Sequence, residues 1–134
     1  MREFLASIMS VLTSAAIFFQ CLFGIGGLRI GNVVLKLEKD SYPVATETIK
    51  AELYNCTREP VFVAPYAYTL ERRETDKWVA VPLKASVEIP YANYFLSSLN
   101  HARKQFHLTD HENVVVGKYR ITASDSVYAE FELV

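Results

Sequence analysis

The sequence predicts an all-β fold, an antiparallel β-sandwich of about seven strands, preceded by an N-terminal apolar helix. Three observations predict it. Apolar and polar residues alternate with period two in several stretches between Val33 and Leu133, which places one set on a buried face and the other in water. Clusters of turn-forming residues separate these stretches at short spacing, and about seven short strands in about 100 residues describe a sandwich. The third observation is a gap in charge: from Phe4 to Leu28, 25 residues pass without an Asp, Glu, Lys or Arg. The chain therefore divides into residues 1–30, a signal peptide or membrane-anchor helix, and residues 31–134, the sandwich domain.

The apolar run is long enough to span a membrane, since about 20 helical residues cross a hydrocarbon core of about 30 Å. Arg2 and Glu3 precede it and Arg29 follows. It also fits a secretory signal, with Ser14-Ala15-Ala16 as a small-x-small cleavage site and Gly24-Ile25-Gly26 as a poorer one. Ser7, Ser10, Thr13, Ser14 and Gln20 dilute the run, which weighs against a permanent anchor. A buried helix of a soluble protein is the plain alternative, but such a helix shows an apolar stripe and a polar face. Signal and anchor alike imply export, to the cell envelope or the medium. Cys21 stands where a bacterial lipoprotein carries its lipidated cysteine, so it is a candidate lipidation site. The preceding Phe18-Phe19-Gln20 matches a lipobox poorly.

The strands follow in order. Val33, Leu35 and Leu37 alternate with Lys36 and Glu38, and Ile49, Ala51 and Leu53 with Lys50, Glu52 and Tyr54. Val61–Ala64 running on to Tyr66–Arg72 forms a third strand, Trp78–Leu83 a fourth and Lys104–Leu108 a fifth. Tyr119, Ile121 and Ala123 alternate with Lys118, Arg120 and Thr122; Ala129, Phe131 and Leu133 with Tyr128, Glu130 and Glu132. Turns fall at Asp40–Pro43, Asn55–Pro60, Glu74–Asp76, Thr109–Asn113 and Ser124–Ser126.

Composition narrows the function classes. With 134 residues and 51% hydrophobic content the chain holds one folded domain and a short appendage. Fourteen Lys and Arg against 15 Asp and Glu lack the basic excess of a nucleic-acid reader. Two cysteines allow one bridge at most. Cys56 sits in a turn and Cys21 precedes the domain, so no bridge is expected.

Four motifs carry a family resemblance. They are Leu37-Glu38-Lys39-Asp40-Ser41-Tyr42-Pro43; Ile49-Lys50-Ala51-Glu52-Leu53-Tyr54-Asn55; Leu70-Glu71-Arg72-Arg73 with Lys77-Trp78-Val79-Ala80-Val81-Pro82-Leu83; and Gly117-Lys118-Tyr119-Arg120-Ile121. In order and spacing, from about Val33 to Val134, the chain resembles the bacterial immunoglobulin-like domains of exported proteins and lipoproteins. It departs from them at Ser97–His101 and Val115–Gly117, where a Pro-Gly or Asn-Gly turn is usual. The resemblance implies an immunoglobulin-like sandwich and a non-catalytic, extracytoplasmic binding or structural module. It implies no cofactor and no catalytic residue. Gly117 before an inward Tyr119 at a strand start also fits a tyrosine corner, whose hydroxyl bonds nearby backbone.

Candidate chemistry is sparse. His101, His107 and His111, with Asp110 and Glu112 nearby, are weighed as a metal site and set aside as exposed histidines on an outer strand and turn. No Ser or Cys stands in a nucleophile motif, and Glu130 and Glu132 share an ordinary solvated face. Arg72-Arg73 and Arg103-Lys104 are small basic spots on a solvated surface. The best recognition candidates are aromatic loops, with Tyr66 and Tyr68 in one and Tyr91, Asn93 and Tyr94 in the other. Tyr and Asn bring large area and polar reach at low entropy. Their partner would be a protein or a cell-surface ligand, and the membrane is contacted through the N-terminal segment. Asn55-Cys56-Thr57 is formally a glycosylation sequon. Two rival readings stand beside this one: a proteinase-inhibitor-like sandwich, which would lack an export segment, and a metal-dependent or other hydrolase using the histidines.

Overall fold

The computed structural model describes residues 32–134 apart from 65, 66, 91, 93, 125 and 126. The apolar run expected to form a helix, and Cys21 within it, lie outside the described residues.

Two sheets face each other. In one, β1 (Val33–Leu37), β3 (Thr48–Asn55) and β8 (Asn100–His107) run antiparallel in the order β1-β3-β8. In the other, β2 (Ser41–Tyr42), β5 (Thr69–Glu74), β6 (Lys77–Ala80), β9 (Gly117–Ser124) and β10 (Val127–Leu133) take the order β2-β10-β9-β5-β6. A third, two-stranded sheet pairs β4 (Val61–Val63) with β7 (Tyr94–Leu96). Among the described residues the helical element is a 3-10 turn, Leu108–Asp110, and no helix is long and apolar enough to cross a membrane.

The expected count of about seven becomes ten for identifiable reasons. Ser41–Tyr42, read as a turn, pairs with the end of β10, and it does so in parallel. Val61–Arg72, read as one strand, breaks into β4 and β5, which join different sheets. Tyr94–Leu96, read as a connection, is β7. The fifth strand begins four residues earlier than expected, at Asn100, because Asn100 pairs with Asn55 and extends the β3 ladder to its end.

Strand parity holds along the expected strands, with Tyr54 the exception. Ile49, Tyr119, Ile121 and Leu133 have no exposed surface, and Leu35, Leu53 and Phe131 are buried. Lys118, Glu130 and Glu132 point into water. The interior is aromatic along one line: Phe131 meets Tyr42 edge-on at 6.0 Å and stacks on Tyr119 at 5.6 Å. Tyr54 departs from its polar set. It lies on the outer face, yet it is buried by Cys56 and Val34 and stacks on the His101 ring at 6.0 Å.

The tyrosine corner forms. The Tyr119 hydroxyl donates to the Val115 carbonyl at 2.6 Å and accepts from the Val115 N–H at 3.0 Å. Gly117, at φ +157, makes the approach in backbone space that side chains rarely enter.

Candidate binding surface

An outward-facing aromatic pair stands on the β4–β7 sheet. Val61-Phe62-Val63 alternates, so Val63 is buried and Phe62 is thrown outward. Across the ladder Phe62 is opposite Phe95. The two rings meet edge to face with centroids 4.3 Å apart, and they are 62% and 63% exposed. Each large side chain left in water forgoes about 1.5–3 kcal/mol of burial, and exposed apolar groups in contact with one another mark interaction surfaces more often than isolated ones do. Tyr94, beside Phe95 on β7, is exposed as well.

Other expected contact residues fall elsewhere. Tyr66, Tyr91 and Asn93 lie outside the described residues. Tyr68 turns inward. Its hydroxyl lies 2.8 Å from His111 Nε2 and 3.3 Å from the His107 carbonyl, and its ring packs on Phe106 at 4.8 Å. Phe62 and Phe95 were not named as site residues from sequence: Val61, Phe62 and Val63 are all apolar, and only the pairing of β4 with β7 shows which side faces water.

His111 is buried, which corrects its reading as an exposed turn residue. The bridge between His111 and Leu83 draws the turn against the end of the second sheet. Its Nδ1 lies 3.0 Å from the Val81 carbonyl. A carbonyl only accepts, so Nδ1 carries the proton and Nε2 accepts from Tyr68. Burial holds the His111 imidazole below its ordinary pKa. The same burial, with Asp110 adding repulsion, pushes Tyr68 up to about 12. The other histidines go separate ways: His107 meets Thr48 at 3.1 Å, and His101 meets Glu52 at 3.2 Å. Among the described residues no three His, Cys, Asp or Glu side chains converge as metal ligands.

Lys104 is a second correction. Read as part of a solvated basic spot, it is buried, with its ammonium donating to the Ala64 carbonyl at 2.9 Å. It shares strand parity with Phe106 and Leu108, and parity prevails over charge here. Burial holds its pKa below the usual lysine value.

The outer face of the β1-β3-β8 sheet forms an open groove of about 550 Å³. Lys36, Glu52 and Arg103 stand in one row across its three strands, with Lys50 and Gln105 in the next. Tyr54 donates to Glu52 at 2.7 Å. That bond, helped by His101, holds the carboxyl below its ordinary range. Burial and the neighbouring carboxylate push Tyr54 up to about 12. On the opposite sheet Arg120 is clamped by Glu71 at 2.8 Å and lies over the rings of Trp78 and Tyr128. None of these arrangements sets a nucleophile against a base.

Cys56 is buried and disulfide-bonded, so the expectation of no bridge fails at this residue. The reason lies in the topology: Cys56 is at the end of β3, and its N–H donates to the Asn32 carbonyl at 3.0 Å, where the chain enters β1. The turn thus meets the start of the domain. The chain's other cysteine, Cys21, lies outside the described residues.

Compared with known proteins, residues 30–132 match the model of a bacterial Ig-like domain family. The chain belongs to the bacterial Ig-like domain family. The two-sheet topology and the tyrosine corner agree with that membership. Among curated proteins none matches the chain. Among solved structures, a β-glucosidase from Erythrobacter marinus is similar at 14% identity and a TM-score of 0.42, over 75% of this chain and 15% of that one. This Ig-like chain thus spans a small fraction of the enzyme's length.

Proposed function

We propose that this Ig-like chain is a non-catalytic binding or structural module that works outside the cytoplasm, held at the cell envelope by its apolar N-terminal run. The observation that carries the binding role is the exposed Phe62–Phe95 pair. The disulfide at Cys56 supports the compartment, because disulfides persist in oxidising environments and are rare in the cytosol. The 25 uncharged residues from Phe4 to Leu28 supply the route. The family is one of structural and binding modules, and no nucleophile–base pair on the described surface argues for turnover.

Fractionation of bacteria expressing the full chain tests the compartment. Recovery in the membrane fraction is expected; free chain in the periplasm or the medium keeps the compartment but overturns the anchor, and recovery entirely in the soluble cytoplasm overturns both. Ester, peptide and glycoside reporter substrates should survive incubation with the purified chain. Turnover lost on Glu52→Gln would replace the binding reading with a catalytic one.

A further inference from the structure

We propose that the Phe62–Phe95 pair seats the domain on the surface of the lipid bilayer. The inference rests on the reading that the apolar run anchors the chain, and it adds which end of the sandwich faces the membrane and through which residues.

The argument is geometric. The uncharged run ends at Leu28, four residues before Asn32. Four extended residues reach at most about 14 Å. Asn32 is fixed to the domain by its carbonyl, which accepts from Cys56. A run that enters the bilayer therefore holds this corner of the sandwich close to the headgroups. An intramolecular disulfide from Cys56 to Cys21 would tie the run to the same corner. The 17 residues from Phe4 to Gln20 would then still reach the lower limit for a span, about 25 Å of helix.

The β4–β7 sheet is at that corner. Asn55, next to Cys56, donates through Nδ2 to the Leu96 carbonyl at 2.9 Å and to the Ser97 carbonyl at 3.1 Å. Ser98 Oγ donates to the Thr57 carbonyl at 2.6 Å. Phe95 is one residue from Leu96, and Phe62 is its ladder partner. The most exposed aromatic pair among the described residues thus stands beside the place where the chain leaves for the apolar run. Arg58 and Glu59, exposed on the same corner, cancel in charge, so the apolar rings decide the preference. Side chains that dip into the boundary between headgroups and acyl chains bind in proportion to the apolar area they bury there.

The test uses the full chain in vesicles of phosphatidylethanolamine and phosphatidylglycerol, with and without acyl-brominated lipid as a quencher. Phe95→Trp reports the proposed contact, and Phe62→Trp repeats the measurement at its partner. Tyr128→Trp, exposed on the outer face of the other sheet, is the control, and Trp78 is a background common to all three. Blue-shifted emission with loss of fluorescence to bromolipid is expected at residues 95 and 62 but not at residue 128. Equal quenching at all three positions, or none, overturns the seat while leaving the anchor intact. A blue shift without bromolipid quenching means that a second copy covers the pair, which also overturns it. Failure of the chain to sediment with vesicles overturns the anchor reading, and the seat with it.

Discussion

The side-chain amide of Asn55 donates to the main-chain carbonyl of Leu96 at 2.9 Å, closing a distance of 41 residues in sequence. The same nitrogen donates to Glu59 and Ser97, while Oδ1 accepts from both the N–H and the hydroxyl of Thr57. One residue therefore folds the β3–β4 turn and ties it to the end of β7. Asn55 has no exposed surface, so in the folded domain its amide is closed to the glycosylation its sequon formally permits.

Removing that amide strands buried carbonyls, each costing about 1–3 kcal/mol. Asn55→Ala should lower stability by at least about 2 kcal/mol in urea unfolding, and Asn55→Asp, which sets a carboxylate against three carbonyls, should cost more. Stability unchanged in both would mean the amide is not the tie described.

Residues at opposite parity should respond oppositely. Tyr119 and Phe131 are buried and stacked, and truncating a buried aromatic to Ala costs about 3–5 kcal/mol. Tyr119→Ala should add the loss of its corner hydrogen bonds. Lys118→Ala and Glu132→Ala, one residue from each, should stay within about 0.5 kcal/mol of the parent. Denaturant midpoints of the four variants check this, and equal losses would contradict the register.

These contrasts were legible in the sequence because period-two alternation is a direct image of a half-buried strand. Tyr119 and its corner were legible for the same reason, with Gly117 as a second signal. What alternation cannot show is where a continuous β-rich run changes sheets. Val61–Arg72 reads as one strand, and only the tertiary pairing of Val61–Val63 with Tyr94–Leu96 separates it. Nor does residue type alone show burial. Lys104 and His111 look solvated by composition, yet each finds a carbonyl inside, Ala64 for one and Val81 for the other. Phe62 was not legible either, because its strand is three residues long and apolar throughout, so no polar neighbour marks which face meets water.

His111 gives the domain a pH dependence with a definite sign. Burial lowers its folded pKa below the ordinary 6.5. As pH falls below about 6.5, the unfolded chain takes up a proton that the folded chain refuses, so stability is lost over that window. It is fully present above 6.5 and levels off once pH passes the folded pKa. The slope from one such group is at most about 1.4 kcal/mol per pH unit. Asp110 opposes the shift by attraction but does not reverse it. His111→Gln, which can still bond Val81 and Tyr68, should flatten the slope below pH 6.5 in thermal melts. A slope unchanged by that substitution would assign the effect to other groups.

The disulfide at Cys56 makes the compartment testable on the purified chain. Thiol titration of the full chain in denaturant should find no free thiol before reduction and two after it, the number of cysteines in the sequence. Loss of a native disulfide from a small domain costs about 2–5 kcal/mol, so dithiothreitol should lower the denaturation midpoint and Cys56→Ala should reproduce the loss. An acylated Cys21 would behave differently. It would raise the mass by the lipid and leave Cys56 as one titratable thiol, and reduction would then change nothing in stability. Bridge and lipid compete for Cys21, and the thiol count decides between them. A bridge formed during expression in the reducing cytosol would be anomalous on redox grounds. Oxidised chain recovered from the envelope and reduced chain accumulating when export is blocked is therefore the expected pair of results. Oxidised chain in the cytosol under both conditions would remove the support that Cys56 gives to an extracytoplasmic role.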